Sequence, residues 1–363
     1  MNRSPTQTSF YGAVRADPLR GRLLYYPILQ SLPGELEALG HASATAWGRM
    51  TPVIEVTTLG GDPMTISPHS PLARLGKSLA ESITPEHLFF LSFHERMRGR
   101  VIEKLLDQCL AYGLAFVPVI SLQTLERADL LRRKVGFDRG VCIRMRLAGR
   151  LHQTGLSLGD QLERVLDATV GDAGTADLLF DLGYLSQSPG FRPEHVIRAL
   201  EQVTSLERWR SAAIAGTVIP ETLSAVAEQD HVVRLDRHDW SYYLSVRRSS
   251  LARQLSFADY AVQNPERPAG GRGAMANIRY TTREAVIIAR GHKVTAADHA
   301  QYNELSRQIV DDEGFSGKDY SWGDQEIARF AMGDRAPLWQ DHWRAYGTSH
   351  HLELVTEEVA SLE

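Results

Sequence analysis

Short, mostly apolar runs alternate along the chain with longer segments in which apolar residues recur at helical spacing. Eleven runs follow one another: LLYYPIL, TPVIEVT, LFFLSF, FVPVISL, VCIRMRL, DLLFDLG, SAAIAGTVI, HVVRLD, FADYAV, NIRYT and AVIIARG. A strand that is apolar at consecutive positions is buried on both faces, as in a parallel sheet covered by helices. The pattern therefore predicts parallel strands that are joined by helices.

The segments between the runs carry helix signals, and several of them end on glycine. RMRGRVIEKLLDQCLAYG, SLQTLERADLLRRKVG and SLGDQLERVLDATVG end on Gly113, Gly136 and Gly171, where a left-handed residue is expected to close a helix. Strand–helix units in series form either an open doubly wound sheet or a closed barrel. The open sheet should show GxGxxG after its first strand, and EVTTLGGDP lacks that motif. We therefore predict an α/β fold of the (β/α)8 TIM-barrel type.

Three parts of the chain differ in composition. Residues 1–20 lack periodicity and are interpreted as a flexible N-terminal arm, residues 21–295 as the barrel, and residues 296–363 as a C-terminal helical cap. NIRYTTR and AVIIARG are predicted to form a hairpin, followed by two helices around FSGKDYSWGD, with Ser321 as an N-cap. The cap is treated as part of the same domain, because about 70 residues make a marginal core alone.

Charge and cysteine content narrow the classes of partner. The 363 residues include 40 basic and 44 acidic ones, for a net charge of -4, so bulk charge does not support nucleic acid as the main partner. Cys109 and Cys142 lie in apolar segments and are predicted to be reduced core residues rather than zinc ligands. With no secretory signal and no stretch of about 18 apolar residues, we expect a cytoplasmic protein without a membrane partner.

Polar residues at the ends of the apolar runs are the candidates for chemistry, because barrel enzymes carry their reactive groups at the C-terminal ends of strands. The candidates are three carboxylates with a catalytic role and four ligand-binding side chains: Glu55, Asp181 and Asp259, then Arg144, Arg146, Tyr280 and Arg290. In VCIRMRL the two arginines alternate with apolar residues that suit the helix layer. Both arginines should therefore face the barrel interior, on the same side as Cys142.

Two interpretations of these charges remain open. In the first, the arginines bind a phosphate or carboxylate, and the carboxylates act as general acid and base or hold a divalent metal, the candidate cofactor. In the second, the same charges form a buried ion-pair network that fills the barrel and fixes its register. His350 and His351 are interpreted as surface or cap-packing residues rather than metal ligands. DRHDWSYY and RPAGGRGAMANIR leave single-stranded nucleic-acid binding open as a further alternative.

Several segments resemble the "beta protein" family of phages, prophages and bacterial genomes. YYPILQSLPGELEAL and TPVIEVT resemble its start, and SFADYAV, NIRYTTREAVIIARG, SWGDQEIARFAMG and HWRAYGTSHHLELV resemble its C-terminal half, so the likeness runs from about Leu23 to Val355. The positions that match by motif are Glu35, Glu55, Asp259, Tyr280, Arg290, Gly291, Trp322, Gly323, Asp324 and His350. QSLPGE stands where a lysine-rich stretch is expected, which puts any role of a lysine there in doubt.

The resemblance implies a barrel-like α/β protein in a mobile-element or anti-phage context, without a settled chemistry. With the arginines, it favours a cytoplasmic protein of anti-phage defence that has an anion site at the barrel mouth for a phosphate-bearing small molecule or nucleotide. If the protein is an enzyme, hydrolysis of a phosphodiester type is the natural class. The alternatives are a non-enzymatic component that binds a protein partner in a defence or toxin–antitoxin-like system, and a single-stranded nucleic-acid binder.

Overall fold

All eleven apolar runs form strands in the computed structural model, which describes residues 19, 22–57, 71–147, 157–185, 192–203, 206–249, 254–266, 275–295 and 299–363. The strands are β1 Tyr25–Gln30, β2 Val53–Val56, β3 Phe89–Phe93, β4 Phe116–Ile120, β5 Val141–Arg146, β6 Ala176–Tyr184, β7 Ser211–Thr217, β8 His231–Asp236, β9 Ser256–Asp259, β10 Met275–Thr281 and β11 Ala285–Lys293. The predicted arm, residues 1–20, falls almost wholly outside the described residues.

Eight strands close into a barrel in the order β1-β2-β3-β4-β5-β6-β7-β9. The closing strand is β9, which pairs in parallel with β7 on one side, where Phe257 lies opposite Ile214, and with β1 on the other, where it lies opposite Tyr25. The predicted TIM-barrel type is therefore confirmed. Parallel pairing on both sides explains why these runs are apolar at consecutive positions, since each strand has the barrel interior on one face and helices on the other.

Helices between the strands cover the outside of the barrel. They are α1 Pro33–Gly40, α2 Ala44–Trp47, α3 Leu75–Ser82, α4 Gly99–Ala111, α5 Ala128–Val135, α6 Leu158–Ala168, α7 Pro193–Leu200 and α8 His238–Arg247. The three predicted closing glycines, Gly113, Gly136 and Gly171, have φ angles of 68°, 67° and 70°. Each therefore has the positive φ expected where a helix ends, which glycine adopts at no steric cost; Gly136, with a ψ of 179°, is extended rather than left-handed helical.

The faces of β5 are those that its alternation predicts. Cys142 packs inside the barrel with Val53, Leu179 and Ala258. Val141, Ile143, Met145 and Leu147 belong to the outer core between strands and helices. Both cysteines of the chain are buried and unpaired, as predicted.

A separate antiparallel sheet of β10, β11 and β8 lies outside the barrel. The predicted hairpin of β10 and β11 is confirmed, for example by the pairing of Tyr280 with Ile287. The run HVVRLD does not enter the barrel, although it lies in sequence between two barrel strands. It pairs with β11 instead, where Val233 lies opposite Ile288, and most of it is exposed or half-exposed.

The C-terminal segment forms three helices, α9 His299–Val310, α10 Trp322–Ala331 and α11 Gln340–Ala360, and the prediction of two was wrong. Gly333, whose φ is 107°, and Pro337 separate α10 from α11. The predicted N-cap is confirmed, since the Ser321 hydroxyl accepts from the amide of Asp324 at 3.1 Å.

The small sheet and these helices share one core, which contains Ile278, Ile287, Tyr302, Ile327 and Trp343. The second half of α11 also reaches the outer core of the barrel through Leu352, Val355 and Val359. Helix α11 therefore packs against both the small sheet and the barrel. Among the described residues, none of the helices is both long and apolar enough to cross a bilayer.

Candidate functional site at the mouth of the barrel

Arg144 lies at the centre of the C-terminal mouth of the barrel, where the alternation of β5 turns it inward. Its Nη1 donates to Glu55 Oε2 of β2 at 2.5 Å, and its Nε donates to Asp181 Oδ2 of β6 at 3.0 Å. Its Nη2 donates to the hydroxyl of Tyr260, directly after β9, at 2.7 Å. We call these four residues the mouth quartet; all are buried. The mouth quartet thus connects β2, β5, β6 and the end of β9.

The electrostatics of the mouth quartet fix its protonation. Burial alone would raise the pKa of the Asp181 carboxyl, but the charge of Arg144 and hydrogen bonds from Tyr260 and the Gly183 amide hold that pKa below its usual value. Burial raises the pKa of the Tyr260 phenol well above its usual value, and the two carboxylates add to that effect. Near neutral pH the quartet therefore contains an ionised Asp181, a charged Arg144 and a neutral Tyr260.

Arg146 is a second cation above the same carboxylates. Its Nε lies 3.6 Å from Asp181 Oδ2, and its Nη2 lies 4.0 Å from Glu55 Oε1. Its side chain is 39% exposed, against 5% for Arg144. The fork of Arg144 is occupied by protein groups, whereas Arg146 makes long contacts and remains accessible. Arg146 is therefore the cation that a ligand can reach.

A cavity of about 340 Å³ opens over these two arginines. Its floor includes Glu55, Arg144 and Arg146, and its walls come from the segments after β3 and β4. The other lining residues are Ser92, Phe93, His94, Glu95, Val119, Ser121, Gln123, Thr124 and Glu266. This position, at the C-terminal ends of the strands, is where barrels of this type place ligand sites.

Arg127 holds one wall of the cavity in place. Its guanidinium donates to the backbone carbonyls of Phe93, His94, Glu95 and Met97, all in or just after β3. Burial lowers the pKa of Arg127, and the carbonyl oxygens compensate for the lost water. Sequence reasoning missed this role, because an arginine between two helical segments looks like a surface residue.

Three of the predicted site residues lie elsewhere. Asp259 faces outward from β9, where it accepts from the Tyr25 hydroxyl at 2.5 Å and contacts His351 Nε2 at 2.8 Å. Tyr280 donates to Asp324 Oδ1 at 2.7 Å in the small sheet. Arg290 donates to the carbonyl of Ala227. The structure thus brings together Glu55, Arg144, Arg146 and Asp181, and it does not bring Asp259, Tyr280 or Arg290 to them.

Sequence reasoning missed Tyr260, although the alternation of side chains along β9 could have indicated it. If Asp259 faces out, the next residue faces in. In the part of the chain that the structure describes, no three His, Cys, Asp or Glu side chains are grouped to hold a metal ion.

Of the two segments considered for nucleic-acid binding, the structure describes DRHDWSYY in full and RPAGGRGAMANIR only in part. DRHDWSYY is the end of β8 and the start of α8, and Trp240 packs edge-on against Phe257 with ring centroids 5.0 Å apart. Residues 267–274, which make up the first part of RPAGGRGAMANIR, lie outside the described residues.

The chain is thus a closed eight-stranded parallel barrel with a charged polar cluster at its mouth and a C-terminal cap. It belongs to the family described as Beta protein, whose model matches residues 25–357. The expected resemblance is therefore confirmed over nearly the whole chain.

Two solved structures that resemble the chain are distant. One is an enolase from environmental shotgun sequencing of the Sargasso Sea, which is 14% identical to this chain and has a TM-score of 0.34. The matched region makes up 78% of this chain and 64% of the enolase. The other is the biosynthetic arginine decarboxylase of Campylobacter jejuni, which is 10% identical and has a TM-score of 0.37. The matched region makes up 93% of this chain and 57% of the decarboxylase. This chain thus spans less than two thirds of either protein, and neither likeness bears on activity. No curated protein matches the sequence.

Proposed function

We propose that this chain is a phage- or mobile-element-associated protein of anti-phage defence that binds a small anionic ligand at the mouth of its barrel. The phage context comes from the family alone. The ligand site rests on Arg146, which is accessible above a cavity of about 340 Å³ while Arg144 below it is occupied by Glu55, Asp181 and Tyr260. A guanidinium in this position suits a carboxylate or phosphate group.

The charges around the cavity limit the ligand to one with few negative charges. Arg144 and Arg146 are balanced by Glu55 and Asp181, so the floor of the cavity is neutral overall. The wall adds exposed carboxylates, among them Glu95. A ligand with one anionic group for Arg146 and hydrogen-bond donors elsewhere fits this balance. Nucleoside monophosphates and sugar monophosphates are therefore better candidates than triphosphates.

The same geometry favours binding over hydrolysis. A general acid or base works best when its pKa lies near the operating pH. The pKa of Asp181 is instead held low, and its oxygens already accept from Arg144, Tyr260 and the Gly183 amide. Glu55 is likewise bonded to Arg144 at 2.5 Å. These carboxylates are better suited to holding the arginines than to moving protons.

The experiment is a thermal-unfolding screen of the full chain against nucleotides, sugar phosphates, small carboxylates and short oligonucleotides, followed by calorimetric titration of any hit. A ligand bound only by the native state raises the midpoint. We expect Arg146→Gln to weaken binding of a hit by about tenfold or more, the cost of one charge-assisted contact. Arg133→Gln is the matched control, because Arg133 is exposed on α5, whose C-terminal end is remote from the mouth.

Other outcomes would change the proposal. Binding that survives Arg146→Gln would move the ligand away from the mouth. No hit from the whole panel would favour the alternative in which the mouth quartet is a structural plug and the protein acts through a protein partner. A hit with oligonucleotides alone that weakens steeply with salt would favour single-stranded nucleic-acid binding.

A further inference from the structure

Two adjacent histidines of α11, His350 and His351, lie fully buried on two different carboxylates. His350 faces Asp324 of α10, and His351 faces Asp259 of the barrel strand β9. Their second ring nitrogens both meet Thr281 of β10, but at different atoms. These contacts lie outside the cavity and join the C-terminal helices to the small sheet and the barrel. The two histidines differ in the partner of this second nitrogen. For His350 it is a carbonyl oxygen, which only accepts a hydrogen bond, and for His351 it is a hydroxyl, which can also donate one.

His350 has an acceptor at each ring nitrogen. Its Nε2 lies 2.6 Å from the backbone carbonyl oxygen of Thr281, which only accepts, so Nε2 carries a hydrogen. Its Nδ1 lies 2.8 Å from Asp324 Oδ2. That carboxylate also accepts from the hydroxyls of Tyr280 at 2.7 Å and Ser321 at 2.6 Å. Every group around Asp324 is thus placed to donate to it.

The Asp324–His350 pair must therefore hold one proton between the ring and the carboxyl group. With an ionised carboxylate and a bare Nδ1, two acceptors would face each other at 2.8 Å in a site without water contact. One proton removes that conflict, whether it resides on the ring or on the carboxyl group. The pair is then neutral overall, and this result follows from the count of donors alone.

His351 requires no such extra proton. Its Nε2 lies 2.8 Å from Asp259 Oδ2, and its Nδ1 lies 2.7 Å from the hydroxyl of Thr281. A hydroxyl can donate as well as accept. A neutral His351 with its hydrogen on Nε2 therefore satisfies both contacts. The neighbouring residue is thus a natural control for His350.

We propose that docking of the C-terminal helices α10 and α11 is proton-coupled through the Asp324–His350 pair. The docked state binds one proton there, and the undocked state releases it at neutral and alkaline pH. The other titratable side chains that face His350 are the phenols of Tyr280, stacked at 4.0 Å between ring centroids, and Tyr320, at 5.4 Å, together with His351 beside it. Burial raises the pKa of both phenols, so they stay neutral over the same range.

The sign of the effect follows from the proton count. A free histidine loses its proton around pH 6.5, and a free aspartate is already ionised there. Above that pH the undocked pair holds no proton while the docked pair holds one. As long as the docked pair keeps its proton, each further pH unit therefore lowers the docking equilibrium, by at most about tenfold. The C-terminal helices should loosen as the pH rises.

The test uses the full chain in two measurements. Nitrogen-15 spectra of the histidine rings and carbon-13 spectra of the aspartate carboxyl groups at pH 7.5 should show one proton on His350 Nδ1 or on the Asp324 carboxyl group, and a neutral ring for His351. Hydrogen exchange of α10 and α11 amides, corrected for the intrinsic effect of pH, should show protection that falls as the pH rises from 7 to 9, by up to about tenfold per pH unit.

Matched variants isolate the proton. His350→Gln cannot take it up, and Asp324→Asn lets the amide donate to Nδ1, so both should lose the pH slope of protection. His351→Gln should keep the slope, even if it lowers protection as a whole. A bare Nδ1 at His350 beside an ionised Asp324 carboxylate in the unmodified protein would overturn the proposal, as would an unchanged slope in Asp324→Asn. The spectra of the unmodified protein decide the matter even where a variant does not fold.

Discussion

Replacing Arg144 by Met tests whether the mouth quartet is held by its cation. Met keeps an apolar chain of similar length and removes donors to Glu55, Asp181 and Tyr260. The two carboxylates are 5% and 2% exposed, so they would lose their close partner in a place that water hardly reaches. Removing one partner of a buried ion pair costs about 3–5 kcal/mol. We expect a loss of that size in the free energy of unfolding, measured in urea by far-ultraviolet circular dichroism.

The dependence on pH makes this prediction specific. The lowered pKa of Asp181 in the native protein contributes stability that is present above the usual aspartate range and is lost as the pH falls. In Arg144→Met only the longer contacts of Arg146 remain, so the buried carboxylates prefer to be protonated and stability should instead rise as the pH falls from 7.5 to 5.

Adding Glu55→Gln and Asp181→Asn to Arg144→Met should recover much of the loss, because neutral groups do not need the cation. A loss below about 1 kcal/mol, or a pH trend like that of the native protein, would refute the reasoning that the quartet is an ion pair in a dry site.

Three further predictions concern other parts of the barrel. Arg127→Leu removes the guanidinium that donates to four carbonyls. Hydrogen exchange of residues 94–98 should speed up and ligand affinity at the mouth should fall, and unchanged exchange would contradict the role of Arg127. Asp177→Asn breaks the buried pair with Arg210 at the opposite end of the barrel; it should cost about 3–5 kcal/mol in urea unfolding while leaving affinity at the mouth unchanged, and altered affinity would argue against separate ends. Ala261→Gly removes a side chain from a residue with φ of 48°; unfolding should show no loss or a gain of up to about 1 kcal/mol, and a clear loss would mean that methyl packing outweighs backbone strain.

The elements of this fold were predictable where the signal is local. Consecutive apolar residues identified each strand, and Gly113, Gly136 and Gly171 marked helix ends, because both signals depend on residues close in sequence. The choice of closing strand was not local. HVVRLD and FADYAV look alike as runs, and only pairing with distant partners sends the first to β11 and the second to β1 and β7.

The candidate site was predictable where a strand alternates clearly. VCIRMRL separates charged from apolar positions, so the inward direction of Arg144 and Arg146 followed from its pattern. The four residues of β9 carry no such contrast, and Asp259 was placed at the mouth when it faces outward. A residue at the end of a strand lies near the mouth of the barrel, but successive side chains point to opposite faces. Its position in that alternation therefore decides whether it faces the interior or the helices.

The histidines of α11 show a different limit. They were interpreted as surface or cap-packing residues, and their burial is consistent with cap packing and not with a surface role. Their carboxylate partners, however, lie 26 residues away for His350 and 92 residues away for His351. No spacing within the helix reports such partners, because the tertiary fold alone brings them together.

The end of β9 has a consequence for which changes of length the chain can tolerate. Asp259 points outward to His351 of the C-terminal cap, and Tyr260 points into the barrel to Arg144. Two consecutive residues thus belong to two separate buried clusters. Deleting one residue within this strand would exchange the two faces, with a carboxylate meeting Asp181 and a phenol meeting His351. Because β9 is bonded to both β1 and β7, no free side exists on which the shift could be absorbed. Insertions and deletions in related chains should therefore avoid this strand and collect in the loops between the other elements.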